Sequence, residues 1–373
     1  MHKKNEEMIL IDGSRLITEA LARAGADVFI GYPITPANLL YQYGTQRFPI
    51  ALAAPDEITT LQWMAGFSAA GKIPVTATSF PGFALMIESI NMAYMMELPM
   101  IIILVQRLGP STGTATCDAQ GDVLLLRGLI SGGYPVPILC ISDFDDCWKL
   151  SASAVSTAVE LRTPVILLTS KESVMTLQSF NKNSLPPVKP VQRRFYNGKS
   201  VYQPYAAMQN LVPAFLPVGN NQHQVRLTSS THDTRGLLQH STEEAIANTC
   251  RLQEKIVENL PNFTYYELDE MKDSNILIFS YGVTATAARE AVHLLRKKGI
   301  PVSLLIAKTL LPVPPEYFKI LDRYERVIIA EENLNAQYCE ILFGGKKPAG
   351  VSTVGSIGKT ITSQELIKAV VKT

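Results

Sequence analysis

Apolar residues along this chain gather in short continuous runs, separated by longer segments whose apolar positions recur at helical spacing. Three runs stand out: Asp27-Val-Phe-Ile-Gly31, Pro74-Val-Thr-Ala-Thr78 and Met100-Ile-Ile-Ile-Leu-Val-Gln106. Each passes into a loop of turn-forming residues, respectively Tyr32-Pro-Ile-Thr-Pro36, Ser79-Phe-Pro-Gly82 and Arg107-Leu-Gly-Pro-Ser-Thr-Gly113. Unbroken apolar runs are what strands buried on both faces require, and their alternation with helical segments predicts βα units around a parallel sheet. Ligands of an open parallel sheet sit at the carboxyl ends of its strands, so a site is expected among these three loops.

The helical spacing predicts a helix over 14–24, stopped by Gly25, and further helices over 57–71 and 83–97. The last carries Met86, Met92, Met95 and Met96, which read as flexible filler for a core or an interface. A helix over 122–129, a strand over 137–141, a helix over 145–161 and a strand over 164–169 complete a first α/β domain. Asn181-Lys-Asn-Ser-Leu-Pro-Pro-Val-Lys-Pro190 then loses all periodicity. A helical arm over 242–260 follows, and a second βα series begins at Asn275 with strands over 276–281, 302–306 and 327–331. The expected organisation is an α/β domain over 1–180, a connector over 181–262 and a smaller α/β domain over 263–373.

Composition narrows the partners. A net charge of +1 and a pI near 7.6 leave no electrostatic footprint for nucleic acid or an anionic membrane. The apolar stretch after the basic start, Met8–Ile11, is far too short for a signal-peptide core. Cys117, Cys140, Cys147, Cys250 and Cys339 are scattered without a C-x-x-C pair, which reads as reduced thiols of a cytoplasmic protein that ligates no iron-sulfur cluster or zinc of its own.

Three residues could carry chemistry. Arg107 follows a buried strand, where an unpaired guanidinium is costly. It reads either as a clamp for a substrate carboxylate or as the partner of Asp118 or Asp122, with Ser111 and Thr112 beside it supplying hydroxyls. Thr35, between Pro33 and Pro36, is either a firmly held hydroxyl that orients a carboxylate or carbonyl, or part of a stiff connection. Glu57 opens an apolar helix that also carries Trp63, Met64 and Phe67. It is either a desolvated carboxyl able to give a proton to a nitrogen heterocycle or a first-turn carboxylate favoured by the helix dipole. Neither a G-x-G-x-x-G after a strand nor a phosphate-binding G-x-x-x-x-G-K-S/T occurs, nor a Gly-Asp-Gly stretch followed by Asn. His232-Asp233 falls in a polar loop that reads as a turn.

Taken in order, Tyr32-Pro-Ile-Thr-Pro36, Asp56-Glu57-Ile58, Thr76-Ala-Thr-Ser-Phe-Pro-Gly-Phe83, Gln106-Arg-Leu-Gly-Pro-Ser-Thr-Gly113 and Gln120-Gly-Asp122 resemble the alpha subunit of 2-oxoacid:ferredoxin oxidoreductases, especially the 2-oxoglutarate type. The resemblance continues through Thr231-His-Asp-Thr-Arg-Gly236 to Glu331-Glu-Asn-Leu-Asn-Ala-Gln337. It implies a thiamine diphosphate-binding fold, with a pyrimidine-type domain first and a transketolase C-terminal-like domain last. On this resemblance Glu57 is the glutamate that activates the cofactor, with Pro33, Ile34 and Phe83 around its pyrimidine end. Arg107 holds the 2-oxoacid carboxylate and Thr35 orients its carbonyl, with Tyr32, Ser111 and Thr112 lining the substrate site; no metal ligand falls on this chain.

The resemblance also implies a beta subunit that carries the diphosphate, Mg2+ and an iron-sulfur cluster, in a heterodimer or a dimer of heterodimers to which gamma and delta subunits can add. This chain alone is then inert, the Met-rich helices are packing surface for the partner, and coenzyme A and ferredoxin are co-substrates. Four departures from the family pattern are expected to line the pocket: Phe80 for Gly, Ala115 for Pro, Ala37-Asn38 for Ser-Ser or Ser-Thr, and Gly132-Gly133 for His-Gly. A bulky Phe80 would reshape the substrate space, which leaves branched-chain, aryl and other 2-oxoacids open beside 2-oxoglutarate. A silent scaffold subunit and a non-oxidative thiamine diphosphate-dependent decarboxylase subunit are the competing readings.

Overall fold

The computed structural model describes residues 7–372, so most of the basic start lies outside the described residues. The chain opens with β1 (Met8–Ile11), α1 (Gly13–Arg23), β2 (Val28–Gly31), α2 (Asn38–Arg47), β3 (Ile50–Ala53), α3 (Glu57–Ala69), β4 (Pro74–Thr78), α4 (Phe80–Met95) and β5 (Met100–Gln106). It continues with α5 (Val123–Arg127), β6 (Ile138–Cys140), α6 (Phe144–Leu161), β7 (Pro164–Ser170), α7 (Lys171–Met175) and β8 (Gln178–Asn181). The strand-loop alternation read from the sequence is present. Local signals set the helix ends: the Asp12 side chain accepts from Arg15 N at 3.0 Å and Asp56 from Thr59 N at 2.7 Å, each closing an N-cap.

The first sheet has the order β12-β6-β7-β5-β4-β2-β3, where β12 is Thr309–Leu311 from the later half of the chain and β6, β7, β5, β4, β2 and β3 are parallel. The chain passes from β2 to β3 on one side, then crosses over β2 to β4 and on to β5. The switch in direction therefore falls between β2 and β4, the place where such sheets open a crevice. Pairing between these two strands is confined to Val28↔Pro74 and Phe29↔Val75. Their carboxyl ends are free to diverge.

After a connector with little regular structure come α8 (Glu243–Glu258), β9 (Tyr266–Asp269), β10 (Ile276–Tyr281), α9 (Thr284–Lys297), β11 (Ser303–Ala307), β12 (Thr309–Leu311), α10 (Pro315–Leu321), β13 (Arg326–Glu331), α11 (Gln337–Phe343), β14 (Val351–Gly355) and α12 (Ser363–Val371). The second sheet runs β14-β13-β10-β11-β9, parallel except for the edge strand β9. Neither β9 nor β12 is visible in the sequence pattern. β12 leaves its own neighbours and pairs antiparallel with β6, adding an edge to the first sheet.

The two halves share a core. Val123, Leu126 and Cys140 pack in one apolar cluster with Phe279, Tyr281, Tyr317 and Tyr338. Gln120 locks the junction: its Nε2 donates to Tyr281 O at 2.8 Å, and its Oε1 accepts from Glu332 N at 2.7 Å and Thr284 Oγ1 at 3.0 Å. Glu331, fully buried, accepts from Tyr281 Oη at 3.1 Å, Asn333 Nδ2 at 2.6 Å and Tyr338 N at 2.9 Å. A buried carboxylate needs such donors, and Asn333, Tyr338 and Cys339 supply three of them from the chain just after it.

Candidate active site

Four adjacent strands, β5, β4, β2 and β3, bring their carboxyl ends to one edge of the first sheet. This edge gathers the Tyr32–Pro36 turn, Glu57 at the start of α3, the start of α4, and the loop after Arg107. Arg107 is 7% exposed and donates from Nη1 to Thr35 O at 2.7 Å. No carboxylate lies within ion-pair distance of it among the described residues. The alternative reading, a pairing with Asp118 or Asp122, is therefore not made: the Thr35 carbonyl takes the guanidinium instead, and Arg107 Nε is left without an acceptor.

Asp122 is buried with Oδ2 unpartnered, and its charge acts on Arg107 without contact. Burial pushes Asp122 up to about 7, against the pull of Gln106 and Arg107. Asp118 faces elsewhere. Burial, with Glu172 and Glu332 nearby, raises its carboxyl well above the ordinary range.

Thr35 is held from two sides. Its carbonyl takes Arg107, and its hydroxyl takes Asn38 Nδ2 at 3.1 Å. Asn38 is one of the departures noted in the sequence, and its role was not legible there because an exposed Asn near a helix start reads as a cap. Ala37, beside it, is buried in the core.

Glu57 is 7% exposed and, among the described residues, no donor engages its carboxyl. It stands against the first turn of α4, where a Cβ on Gly82 would overlap both Glu57 Oε1 and Thr78 Oγ1. Only glycine permits this approach. A buried carboxyl, unsatisfied within the protein and open to the crevice, fits a group that brings its own nitrogen donor or acceptor.

The other expected residues are placed less uniformly. Tyr32 and Pro33 are exposed, with Tyr32 at 40%, and Ile34 is half-buried. Ser111 and Thr112 form the exposed tip of a hairpin-like loop closed by Leu108 N to Cys117 O at 2.8 Å and Thr114 N to Leu108 O at 2.9 Å. Gly113, with φ +47°, sits so tightly on Leu108 O that no Cβ fits. Phe83 is fully buried in the core and offers no surface to a ligand, since α4 begins at Phe80 and turns position 83 inward.

Gly132 and Gly133 lie beside Asn91, which accepts from Ser131 N at 2.7 Å. That is about 16 Å along α4 from Phe80, at 1.5 Å per residue. The methionines also turn inward: Met86 is buried, and Met92, Met95 and Met96 are half-buried against the core. The exposed apolar residues of α3 and α4 are instead Ile58, Trp63 and Leu85. His232-Asp233 is a buried turn, with the His232 ring tilted against Tyr205 at a centroid distance of 3.8 Å.

A family model described as pyruvate flavodoxin/ferredoxin oxidoreductase, thiamine diphosphate-binding, matches residues 19–251. The chain belongs to this family. The 2-oxoglutarate synthase subunit KorA of Methanocaldococcus jannaschii is 30% identical over 96% of this chain and 98% of that protein. Among solved structures, a 2-oxoglutarate:ferredoxin oxidoreductase from Magnetococcus marinus, with 2-oxoglutarate, coenzyme A and succinyl-CoA bound, superposes with a TM-score of 0.91 at 24% identity. It covers 99% of this chain, which spans 65% of that one, and the likeness establishes the fold. A split-gene transketolase, an inactive beta4 tetramer, matches with a TM-score of 0.54 over 96% of this chain and 97% of its own, at 16% identity. The thiamine diphosphate-type fold with a transketolase-like relative, expected from the sequence, is thus present. Among the described residues no helix is long and apolar enough to cross a membrane, and no group of three or more His, Cys, Asp or Glu could hold a metal ion.

Proposed function

We propose that this chain is the alpha subunit of a cytoplasmic 2-oxoacid:ferredoxin oxidoreductase that converts a 2-oxoacid, 2-oxoglutarate foremost, to its acyl-CoA and passes electrons to ferredoxin. The observation that carries the reading is the convergence of Thr35, Glu57 and Arg107 at one sheet edge, with Arg107 and Thr35 in direct contact. The name of the Methanocaldococcus jannaschii relative supports 2-oxoglutarate as substrate. A partner beta subunit completes the site and holds the diphosphate, Mg2+ and the iron-sulfur cluster. The exposed Ile58, Trp63 and Leu85 on α3 and α4 suit that contact.

The residues divide the work. When bound, thiamine diphosphate supplies a nucleophilic carbon and an electron sink for loss of the carboxyl group. Glu57 presents its carboxyl from a buried position to the cofactor's pyrimidine nitrogen and holds a proton there. Arg107, with Nε unengaged and Nη1 anchored on Thr35 O, meets the substrate carboxylate with a preoriented fork. The Thr35 hydroxyl, fixed by Asn38, is the group that orients the substrate carbonyl. Tyr32, Ser111 and Thr112 stand at the open rim, where substrate and partner both approach.

The test is to co-purify the chain with its partner and assay thiamine diphosphate-dependent viologen reduction with coenzyme A over a panel of 2-oxoacids. Turnover that vanishes in Glu57→Gln confirms the reading, and the preferred acid names the substrate. A cofactor-loaded complex with no reduction on any acid overturns it in favour of a scaffold or a non-oxidative decarboxylase.

A further inference from the structure

The opposite edge of the first sheet, at the amino ends of β5 and β7, carries an unbalanced concentration of buried cations. Glu97 is fully buried and takes Lys255 Nζ at 2.6 Å and Arg251 on both carboxylate oxygens, one contact at 3.1 Å. Arg162, 3% exposed, donates from Nη1 to Pro204 O at 2.9 Å and Ala214 O at 3.0 Å, and from Nε to Glu97 O at 3.4 Å. Two buried cations thus share one carboxylate, and the third, Arg162, is held by main-chain carbonyls. Burial, reinforced by Arg251 and Arg162, pulls Lys255 down to about 8 even with Glu97 in contact.

Beside this cluster lies a cavity of about 650 Å³ between the first sheet, the connector and the end of α8. Arg162, Arg193 and Arg194 line it, and Glu160 is the single carboxylate in the wall. Arg162 and Arg193 both stand over the Phe215 ring, at 5.4 Å and 5.1 Å. Each has one terminal nitrogen buried without an acceptor. Arg193 feels Asp27, but Asp27 is already held by Lys72 at 3.3 Å and Ile73 N at 2.7 Å. Amides of Asn210, Asn259 and Asn262 complete the lining. The backbone around the cluster is held in the left-handed region at Glu97 (φ 52°), Arg162 (φ 48°) and Leu211 (φ 64°), conformations that cost energy in non-glycine residues and concentrate at functional sites.

Uncompensated guanidinium charge in a partly closed, low-dielectric wall is expensive unless an anion completes it. Guanidinium forks and amide donors match phosphate oxygens, and the volume is that of a drug-sized ligand. We propose that this cavity binds a small organic phosphate of nucleotide size, at a site on the far edge of the sheet from Glu57 and Arg107.

The test uses the full chain co-purified with its partner and saturated with thiamine diphosphate, so that the active site is occupied. Binding of ADP and of inorganic pyrophosphate is measured by titration calorimetry against wild type, Arg193→Gln and Arg194→Glu. Arg194 is exposed, so its variant keeps the fold even where Arg193→Gln does not. The expected result is ADP binding that exceeds pyrophosphate binding and weakens about tenfold or more in Arg194→Glu, as loss of one charge-assisted contact requires. Absence of binding by both probes, or binding indifferent to Arg194→Glu, overturns the proposal. Equal or tighter binding of citrate, a polycarboxylate, overturns the phosphate assignment.

Discussion

Arg107 Nη1 and the Thr35 carbonyl oxygen lie 2.7 Å apart, across 72 residues of sequence. The contact ties the loop after β5 to the turn after β2, so the two groups assigned to the substrate's carboxylate and carbonyl keep a fixed separation before substrate arrives. Preorganisation of this kind lowers the ordering cost of binding.

Removing that tether should be felt in binding first. Arg107→Ala is expected to raise KM for the 2-oxoacid about 100-fold, the equivalent of 2–3 kcal/mol for a charge-assisted bond, and Arg107→Lys to recover only part of it. Steady-state kinetics of the purified complex decide the matter; a KM within about twofold of wild type in the alanine variant would remove Arg107 from the substrate site.

Gly82 leaves no room for a side chain against the Glu57 carboxyl. Gly82→Ala should therefore cost turnover, about tenfold, by displacing Glu57, while Glu57→Gln costs about 100-fold or more. Glu57→Gln should melt close to wild type, whereas Gly82→Ala, which must push Glu57 or Thr78 aside, should lose about 1–3 kcal/mol. Wild-type turnover in Gly82→Ala would mean that Glu57 need not stand where the structure holds it.

Asn38 fixes the Thr35 hydroxyl at 3.1 Å. Asn38→Ala should lower kcat about three- to tenfold with little change in KM, the loss of one neutral hydrogen bond that orients rather than binds. Thr35→Ala should abolish any further effect of Asn38→Ala. Additive losses in the double variant would show that the two act separately.

Asp122 gives the site a pH dependence. Its carboxyl lies at about 7 because burial outweighs Gln106 and Arg107. Below that value it is neutral and the Arg107 charge is free for substrate; above it the carboxylate competes. KM for the 2-oxoacid should rise as pH passes from about 6 to about 8, and Asp122→Asn should flatten the rise. The same raised carboxyl favours the folded state most strongly below its unfolded value near 4, and that contribution fades as pH climbs through about 7. A KM profile unchanged by Asp122→Asn would contradict the coupling.

Among the described residues, Glu97 is the one carboxylate that pairs with Arg251 and Lys255. Glu97→Ala should destabilise the fold by about 3–5 kcal/mol, because it strands buried cations rather than deleting a pair. Urea melts of the purified chain would read this directly, and a loss under about 1 kcal/mol would show that water reaches the cluster.

What the sequence determined by itself was local. The run Met100–Gln106 could only be a strand buried on both faces, the turn residues after it could only be a loop, and the order of Thr35, Glu57 and Arg107 along successive βα units placed them at one edge of a parallel sheet. What tertiary structure decided was pairing. Thr309–Leu311 is too short to declare itself a strand and becomes one because β6 offers an open edge. Arg107 found the Thr35 carbonyl rather than a nearby aspartate, Asn38 became the holder of a hydroxyl, and Phe83 turned inward because α4 starts three residues before it. Hydrophobic period is written residue by residue, whereas the partner of a polar group depends on which distant segment the fold brings within about 3 Å of it.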